Sequence, residues 1–217
     1  MKAVIFDFDY TLGDSTEGIV RSANYALEQM GYQAAEVADI RRTVGLSLKD
    51  TYAALTARDD EGEAERFTAL FREKADEVMV DSAHLYDGVK ETLQKLRASG
   101  LKIGIVTTKF RYRIDGILKK FDANALVDMI VGAEDVKVEK PNPEGLLFAI
   151  SHLQTECSEV LYVGDSIVDA KTAKNAGVSF AGVLTGTTTR EDFGKYPNVC
   201  IGEGIREIYD FVVHAPF

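Results

Sequence analysis

The sequence is poor in residues that cross-link a chain or anchor it in a membrane. It has two cysteines, Cys157 and Cys200, four prolines and no tryptophan among 217 residues. Two cysteines cannot build a disulfide framework, which predicts a reduced, cytoplasmic chain. No run of eighteen apolar residues occurs, and Asp7 lies where a signal peptide needs its apolar core. We therefore expect neither a membrane span nor a secretion signal.

Positive charge is also scarce. The chain has 25 lysines and arginines against 35 acidic residues, a formal net charge of -10. A chain of this charge is repelled by a phosphate backbone and by an anionic bilayer, so we expect no nucleic-acid partner and no membrane partner. The hydrophobic content of 46% is enough for a sizeable core. The composition gives no indication of oligomeric state.

The chain is organised around its first strand. Residues 3–6 form a continuous apolar run, which predicts a strand buried on both faces of a parallel sheet. Asp7 and Asp9 follow directly, and side chains two residues apart in an extended segment point the same way. Two carboxylates this close need a cation or a shared proton. The alternative is a strand that simply ends in an acidic turn.

Periodicity divides the rest of the chain into two patterns. Helical spacing dominates residues 15–81, with Asp14 as the expected N-cap of the first helix, whereas strands and helices alternate from about residue 86 onward. The sequence therefore predicts an α/β fold with a doubly wound parallel sheet and a small all-helical domain inserted after the first strand. The predicted core is 1–14 with 82–217, and the predicted helical domain is 15–81.

Polar residues stand where further predicted strands end. Thr107 and Thr108 close one strand, and Asp165 and Asp169 follow another, one helical turn apart. Lys140 lies between them in the rigid segment Glu139-Lys140-Pro141-Asn142-Pro143, in which Asn142 and Pro143 are expected to begin a helix. Each residue alone is more often a cap or a solvated side chain. The carboxyl ends of parallel strands share one edge, which favours a common site.

Asp7-Phe8-Asp9-Tyr10-Thr11, Thr107, Lys140 and the segment 164–169, in this order, resemble the four motifs of the haloacid dehalogenase-like superfamily. The resemblance covers the whole chain. The helical insertion looks like the cap domain of the subgroup that contains phosphoglycolate phosphatase, pyrophosphatase and β-phosphoglucomutase. Tyr10 departs from the family pattern, in which most relatives have glycine, and Thr108 stands where many have asparagine.

The resemblance implies a catalytic role for each core residue. Asp7 is the expected nucleophile, which forms an aspartyl phosphate, and Asp9 is the expected general acid and base. Thr107, Thr108 and Lys140 are the expected phosphate-binding residues, with Thr107 and Lys140 also counted as catalytic. These roles agree with what hydroxyl, ammonium and carboxylate groups can do.

The resemblance also implies a magnesium ion. Its expected ligands are the Asp7 carboxylate, the Asp9 main-chain carbonyl and the Asp165 carboxylate, with Asp169 supporting them from behind. The implied function is a magnesium-dependent phosphatase that hydrolyses a small-molecule phosphate monoester. A β-phosphoglucomutase-like mutase is the alternative, and a phosphate-binding module without turnover is a third possibility. Asp9 argues against a dehalogenase, and Thr11 mildly favours a phosphatase over a mutase.

Substrate specificity is the least determined property. Tyr10 in the first motif and Arg41, Arg42, Gly45 and Lys49 in the predicted cap are candidates for contact with the substrate. Charged residues on a helix surface are more often only solvated. The sequence does not identify the physiological phosphate ester.

Overall fold

The computed structural model describes residues 1–214. The chain divides into two compact units. One unit comprises residues 1–14 together with the chain from residue 85 onward, and the other comprises residues 15–84. The predicted boundary at residue 81 falls inside the last helix of the second unit, which ends at Ser82. Every helix within residues 1–214 is too short or too polar to span a bilayer.

The strands and helices follow one another in the order expected of alternating units. The strands are β1 (Ala3–Phe6), β2 (Gly13–Asp14), β3 (His84–Leu85), β4 (Lys102–Val106), β5 (Met129–Val131), β6 (Val160–Gly164), β7 (Ser179–Val183) and β8 (Cys200–Gly202). The α-helices are α1 (Thr16–Gln29), α2 (Val37–Arg41), α3 (Leu48–Thr56), α4 (Glu61–Ser82), α5 (Val89–Ala98), α6 (Arg111–Lys120), α7 (Glu144–His152), α8 (Ile167–Ala176), α9 (Arg190–Phe193) and α10 (Ile205–His214). Short 3-10 turns occur at Asn124–Leu126, Ala133–Asp135 and Cys157–Glu159.

A six-stranded parallel sheet forms the centre of the first unit. Its strand order is β5-β4-β1-β6-β7-β8, and β1 pairs in parallel with β4 on one side and β6 on the other. After β1, the strands β4 and β5 are added on one side of it, and β6, β7 and β8 are then added on the other side. The direction in which strands are added therefore reverses at β1. Such a reversal opens a crevice at the carboxyl edge of the sheet. The fold class predicted from the sequence is confirmed.

The central strand is buried on both faces, as its unbroken apolar sequence predicts. Ala3 and Ile5 pack in one hydrophobic cluster with residues of α7 and α8, while Val4 and Phe6, which point the other way, are equally inaccessible. Helices thus cover both faces of the sheet. A strand enclosed in this way has little freedom to move, which fixes the position of the residues that follow it.

The second unit has its own hydrophobic core. α1 packs along α4, and α3 also contacts α4. The apolar faces of these helices meet around an aromatic row, in which the ring of Phe67 lies 5.8 Å from that of Tyr52 and 6.1 Å from that of Phe71. Burial of these rings stabilises the unit, because aromatic side chains remove a large apolar area from water.

Two helix starts differ in detail from the sequence-based expectation. The first helix takes Ser15 as its N-cap, because Asp14 lies in the short strand β2. At the start of α7 the N-cap position is Pro143, one residue later than expected, although Asn142 Oδ1 still accepts a hydrogen bond of 2.9 Å from the Glu144 N–H. Both helices therefore begin one residue later than expected, and at α7 the Asn142 side chain still binds a backbone N–H of the first turn.

We predict that Phe67→Ala destabilises the protein by about 3–5 kcal/mol, because it leaves a cavity between two rings that cannot fully collapse. The measurement is urea unfolding followed by far-ultraviolet circular dichroism. Phe148→Ala is the matched control, because Phe148 is 49% exposed whereas Phe67 is fully buried. The control is expected to change the free energy of unfolding by about 0.5 kcal/mol or less. Similar losses in both variants would contradict the assignment of this core.

Candidate active site

The predicted site residues of the first unit converge at the carboxyl edge of the sheet. Asp7 and Asp9 follow β1, Thr107 follows β4, and Asp165 follows β6. Because β1 lies between β4 and β6, these residues occupy neighbouring strand ends although they are far apart in sequence. All four are buried. The structure thus brings together the core motifs that the sequence analysis picked out.

Lys140 completes the group from the segment before α7. Its Nζ lies 3.0 Å from Asp7 Oδ1 and 2.7 Å from Asp169 Oδ1, and only 5% of its side chain is exposed. It also donates a hydrogen bond of 3.2 Å to the Tyr162 hydroxyl. A buried ammonium held by three oxygens is fixed in position, so Lys140 presents a stationary positive charge beside Asp7.

Both carboxylate oxygens of Asp169 accept hydrogen bonds from neighbouring side chains and backbone, so Asp169 fixes the position of Lys140. Its Oδ1 accepts hydrogen bonds from Lys140 and from the Tyr162 hydroxyl, the latter at 3.0 Å. Its Oδ2 accepts from the Ser166 N–H at 3.1 Å and from the Ser166 hydroxyl at 2.6 Å, in a capping box that begins α8. A carboxylate has about four acceptor sites, and here four donors use them.

Three buried carboxylates form a group able to hold a cation. Ligand oxygens of Asp7, Asp165 and Asp169 all lie within 4.8 Å of one another. Since the lone pairs of Asp169 are already engaged, Asp7 and Asp165 are the two that can coordinate. Oxygen donors of this kind suit a hard divalent ion such as magnesium. The donor set therefore fits the metal that the resemblance implies, whereas coordination by the Asp9 carbonyl stays a prediction.

The pKa values reflect the crowding of negative charge. Burial raises the pKa of Asp7 and the attraction of Lys140 offsets this only in part, so that the pKa is about 7. Burial also raises the pKa of Asp165 well above its usual range, with further repulsion from Asp169 and Asp7. Burial alone lowers the pKa of Lys140, but the attraction of Asp169 and Asp7 outweighs it, so that this pKa lies well above its usual range. Lys140 is therefore an ammonium at neutral pH.

A second lysine, which the sequence analysis did not select, pairs with Asp9. Lys109 Nζ lies 3.2 Å from Asp9 Oδ2, and both side chains are buried. Burial lowers the pKa of Lys109, and the attraction of Asp9 opposes this shift. The Lys109 N–H donates a hydrogen bond of 3.2 Å to Thr107 Oγ1. The turn after β4 thus places both the Thr107 hydroxyl and the Lys109 ammonium at the carboxyl edge of the sheet.

The loop after Asp9 is tightly folded. Tyr10 adopts a left-handed backbone conformation, with φ of 59°, and its side chain is buried. Its N–H donates a hydrogen bond of 2.8 Å to the Gly13 carbonyl, and its own carbonyl accepts one from the Thr185 hydroxyl. Thr11 is buried in the same loop, while Thr108 beside Thr107 is only half-buried. The loop is fixed at several points although it lies outside the regular strands.

The remaining candidates belong to the helical unit and are Arg41, Arg42, Gly45 and Lys49. Arg42 pairs with Asp39 at 2.5 Å and Lys49 pairs with Glu61 at 3.2 Å, with all four side chains exposed. Gly45 has a φ of 91°, which explains the glycine by backbone conformation alone. Contact of these residues with a substrate stays a prediction.

Comparison with known proteins identifies the family. Residues 4–183 match the family described as haloacid dehalogenase-like hydrolase. The chain belongs to the haloacid dehalogenase-like hydrolases. Pyrophosphatase PpaX of Bacillus velezensis is 35% identical over 183 residues, which cover 84% of this chain and 83% of that protein. Pyrophosphatase PpaX of Bacillus anthracis is 32% identical over the same length.

Solved structures of this hydrolase family share the whole architecture. A Bacteroides fragilis protein described as a haloacid dehalogenase-like hydrolase has a TM-score of 0.92 and 41% identity, with 95% of this chain and 99% of that one covered. A protein described as a predicted phosphoglycolate phosphatase from Haemophilus somnus has a TM-score of 0.85 and 25% identity, with 98% of both chains covered. The family resemblance found from the motifs is confirmed.

Sequence reasoning missed several residues around the hydrolase site. Tyr162 lies in the apolar strand Val160–Gly164 and Ser166 lies between two acidic residues, so neither side chain was selected from the sequence. Lys109 follows Thr107 by two residues, and this spacing from a selected hydroxyl was the available signal. Gly186 gave no signal, because its role depends on a close approach in three dimensions.

Gly186 leaves the room that Asp165 needs. A Cβ added at Gly186 would lie 2.0 Å from Asp165 Oδ2, 2.8 Å from its Cγ and 3.0 Å from its Cβ. Such a contact is far inside van der Waals distance, so the whole carboxylate would have to move. The loop after β7 therefore determines where the Asp165 oxygens lie.

We predict that Gly186→Ala weakens magnesium binding by about tenfold or more, a loss typical of displaced metal-ligand support. Isothermal titration calorimetry with magnesium chloride measures the affinity. Gly204→Ala is the matched control, because a Cβ there meets nothing closer than 4.0 Å. Unchanged affinity in Gly186→Ala, with the control also unchanged, would contradict the prediction that Gly186 sets the position of Asp165 as a metal ligand.

Proposed function

We propose that this chain is a magnesium-dependent phosphatase that hydrolyses a small-molecule phosphate ester through an aspartyl phosphate on Asp7. The observation that carries the proposal is the placement of Asp7 at the end of the central strand, with Lys140 at 3.0 Å on one side and Asp9 two residues away. A buried nucleophile, a fixed cation and a second carboxyl group are the parts that phosphoryl transfer requires.

Each residue has one task in the proposed reaction. Asp7 attacks phosphorus as the bond from phosphorus to the leaving oxygen breaks, and the Asp9 carboxyl gives its proton to that oxygen. Water then attacks the aspartyl phosphate and gives a proton to the Asp9 carboxylate. The bond between Asp7 and phosphorus breaks, and orthophosphate leaves. Lys140 and the Thr107 hydroxyl hold the phosphoryl oxygens throughout.

Magnesium fits beside Asp7 and Asp165, as the donor set indicates. When bound, it supplies positive charge that offsets the charge of the phosphoryl group and of the two carboxylates. Lys140 is held by Asp169 at 2.7 Å and by Asp7 at 3.0 Å, so its positive charge would act on the phosphoryl group in addition to that of the metal.

The helical unit of residues 15–84 is proposed to act as the cap that selects the leaving group, as the family resemblance implies. Relatives named pyrophosphatase and phosphoglycolate phosphatase support small, strongly anionic substrates. Neither a mutase nor a module without turnover gains support from a specific observation. A cytoplasmic location stays a prediction from the sequence.

The test of substrate class is phosphate release from a panel of pyrophosphate, phosphoglycolate, hexose phosphates and nucleoside monophosphates. We expect orthophosphate from at least one of the small anions in the presence of magnesium. Conversion of a hexose phosphate into its isomer without orthophosphate would establish the mutase instead. No turnover of any compound would overturn the proposal.

We predict that magnesium is required and that calcium does not replace it. Calcium prefers more oxygen ligands at longer distances, which would misplace Asp7 relative to phosphorus. The measurement is phosphate release after chelation and after addition of each ion. Full activity with excess chelator would refute the metal requirement, and equal rates with both ions would refute the geometric argument.

We predict that Asp9→Asn lowers hydrolysis of an alkyl phosphate by about 10² to 10⁴, the usual contribution of general acid and base catalysis. A nitrophenyl ester needs no proton on its leaving oxygen, so its first step is expected to survive and phosphate to stay on Asp7. Rapid quench with mass spectrometry of the peptide that contains Asp7 detects the adduct. Asp210→Asn, at an exposed position, is the control. Equal losses for both esters without an adduct would contradict the role of Asp9.

A further inference from the structure

Lys109 is a buried charged residue that the proposed reaction does not use. It follows Thr107 by two residues at the end of β4, and only 6% of its side chain is exposed. Its Nζ lies 3.2 Å from Asp9 Oδ2, whose side chain is 11% exposed. Burying an ion pair removes both ions from water, and their mutual attraction offsets this desolvation cost only in part. Stability alone is therefore a poor explanation for this pair.

The two oxygens of Asp9 have different surroundings. Oδ2 is engaged by Lys109, whereas Oδ1 is buried and, within residues 1–214, makes no hydrogen bond. Asp169 differs, because donors engage both of its oxygens. A buried acceptor without a partner is costly in a folded protein, which marks Oδ1 as the atom kept for another group.

The backbone around Lys109 is rigid enough to fix this arrangement. Its N–H donates to Thr107 Oγ1 at 3.2 Å, and its carbonyl accepts from the Ala133 N–H at 3.2 Å. A Cβ added at Gly132 would lie 2.9 Å from the Lys109 carbonyl oxygen, so the two turns are in close contact. Such support is what a precisely oriented catalytic group needs from its neighbours.

We propose that Lys109 is a positioning residue, which holds Asp9 by Oδ2 and thereby presents Oδ1 to the ester oxygen and afterwards to the attacking water. The inference rests on the proposed phosphatase function. In each step the proton moves between Asp9 Oδ1 and a substrate or water oxygen, and Lys109 keeps its own protons. Its contribution is orientation of a carboxyl group that would otherwise rotate about its side-chain bonds.

The proposal predicts a loss that depends on the leaving group. Lys109→Met removes the ammonium while keeping most of the side-chain volume. We expect kcat for an alkyl phosphate to fall by about 10², the scale of a misplaced catalytic group, with KM changed much less. For a nitrophenyl ester, whose leaving oxygen needs no proton, the rate of the first-turnover burst is expected to stay within about threefold of the parent.

Lys119→Met is the matched control. It also breaks a lysine–aspartate pair, between Lys119 Nζ and Asp115 Oδ2 at 2.6 Å, but both side chains are well exposed. We expect both esters to be hydrolysed at the parent rate in this control. Thermal unfolding of each variant shows whether it is folded, and Lys109→Gln carries the same expectation if Lys109→Met does not fold.

A double-mutant cycle separates positioning from other roles. If Lys109 acts through Asp9, Lys109→Met causes no further loss of alkyl phosphate hydrolysis in an Asp9→Asn background. A full additional loss in that background, a rise in KM for every substrate, or equal losses for both esters would overturn the proposal. Full activity of Asp9→Asn itself would instead refute the proposed function, so the two failures are distinguishable.

Discussion

The site depends on the burial of like charges at one end of one strand. Asp7, Asp9, Asp165 and Asp169 are four carboxylates in a space that largely excludes water. Lys140 and Lys109 are the ammonium groups in contact with them. Ionised together, these six groups leave two negative charges uncompensated, which is the charge of one divalent cation. The pKa values of Asp7 and Asp165 are raised first by burial and further by repulsion from the neighbouring carboxylates.

The fold makes this arrangement possible because the central strand of the sheet is held rigidly in place. β1 is paired on both sides and covered on both faces, so the residues after it are delivered to a fixed point. The lysines arrive from different directions, Lys109 from the turn after β4 and Lys140 from the segment before α7. Each engages a different aspartate of the first motif. The negative charges of Asp7 and Asp9 are thus each offset by a separate ion pair.

Much of this could be predicted from the sequence, and the reason is the position of polar residues at strand ends. An apolar strand followed directly by aspartates can be recognised from the sequence alone, and a parallel sheet brings such strand ends to one edge. The sequence does not show which individual side-chain atoms come into contact. Lys109 looks like an ordinary lysine in Thr107-Thr108-Lys109. The Tyr162 hydroxyl belongs to an apolar strand, where its one proton is shared between Asp169 Oδ1 at 3.0 Å and the Val106 carbonyl at 3.2 Å. Gly186 matters only because Asp165 comes within 2.0 Å of where its Cβ would be.

Tyr10 stands where the family pattern leads us to expect glycine, and the loop around it keeps a conformation that suits glycine. Its φ of 59° is a conformation that glycine adopts freely and that costs other residues about 1–2 kcal/mol. The loop nevertheless keeps this shape, because the Leu12 and Gly13 N–H groups both donate to the Phe8 carbonyl. The backbone at position 10 thus has a conformation that suits glycine, and the difference from the family pattern is the tyrosine side chain. That side chain is buried, and its effect on which ester fits stays a prediction.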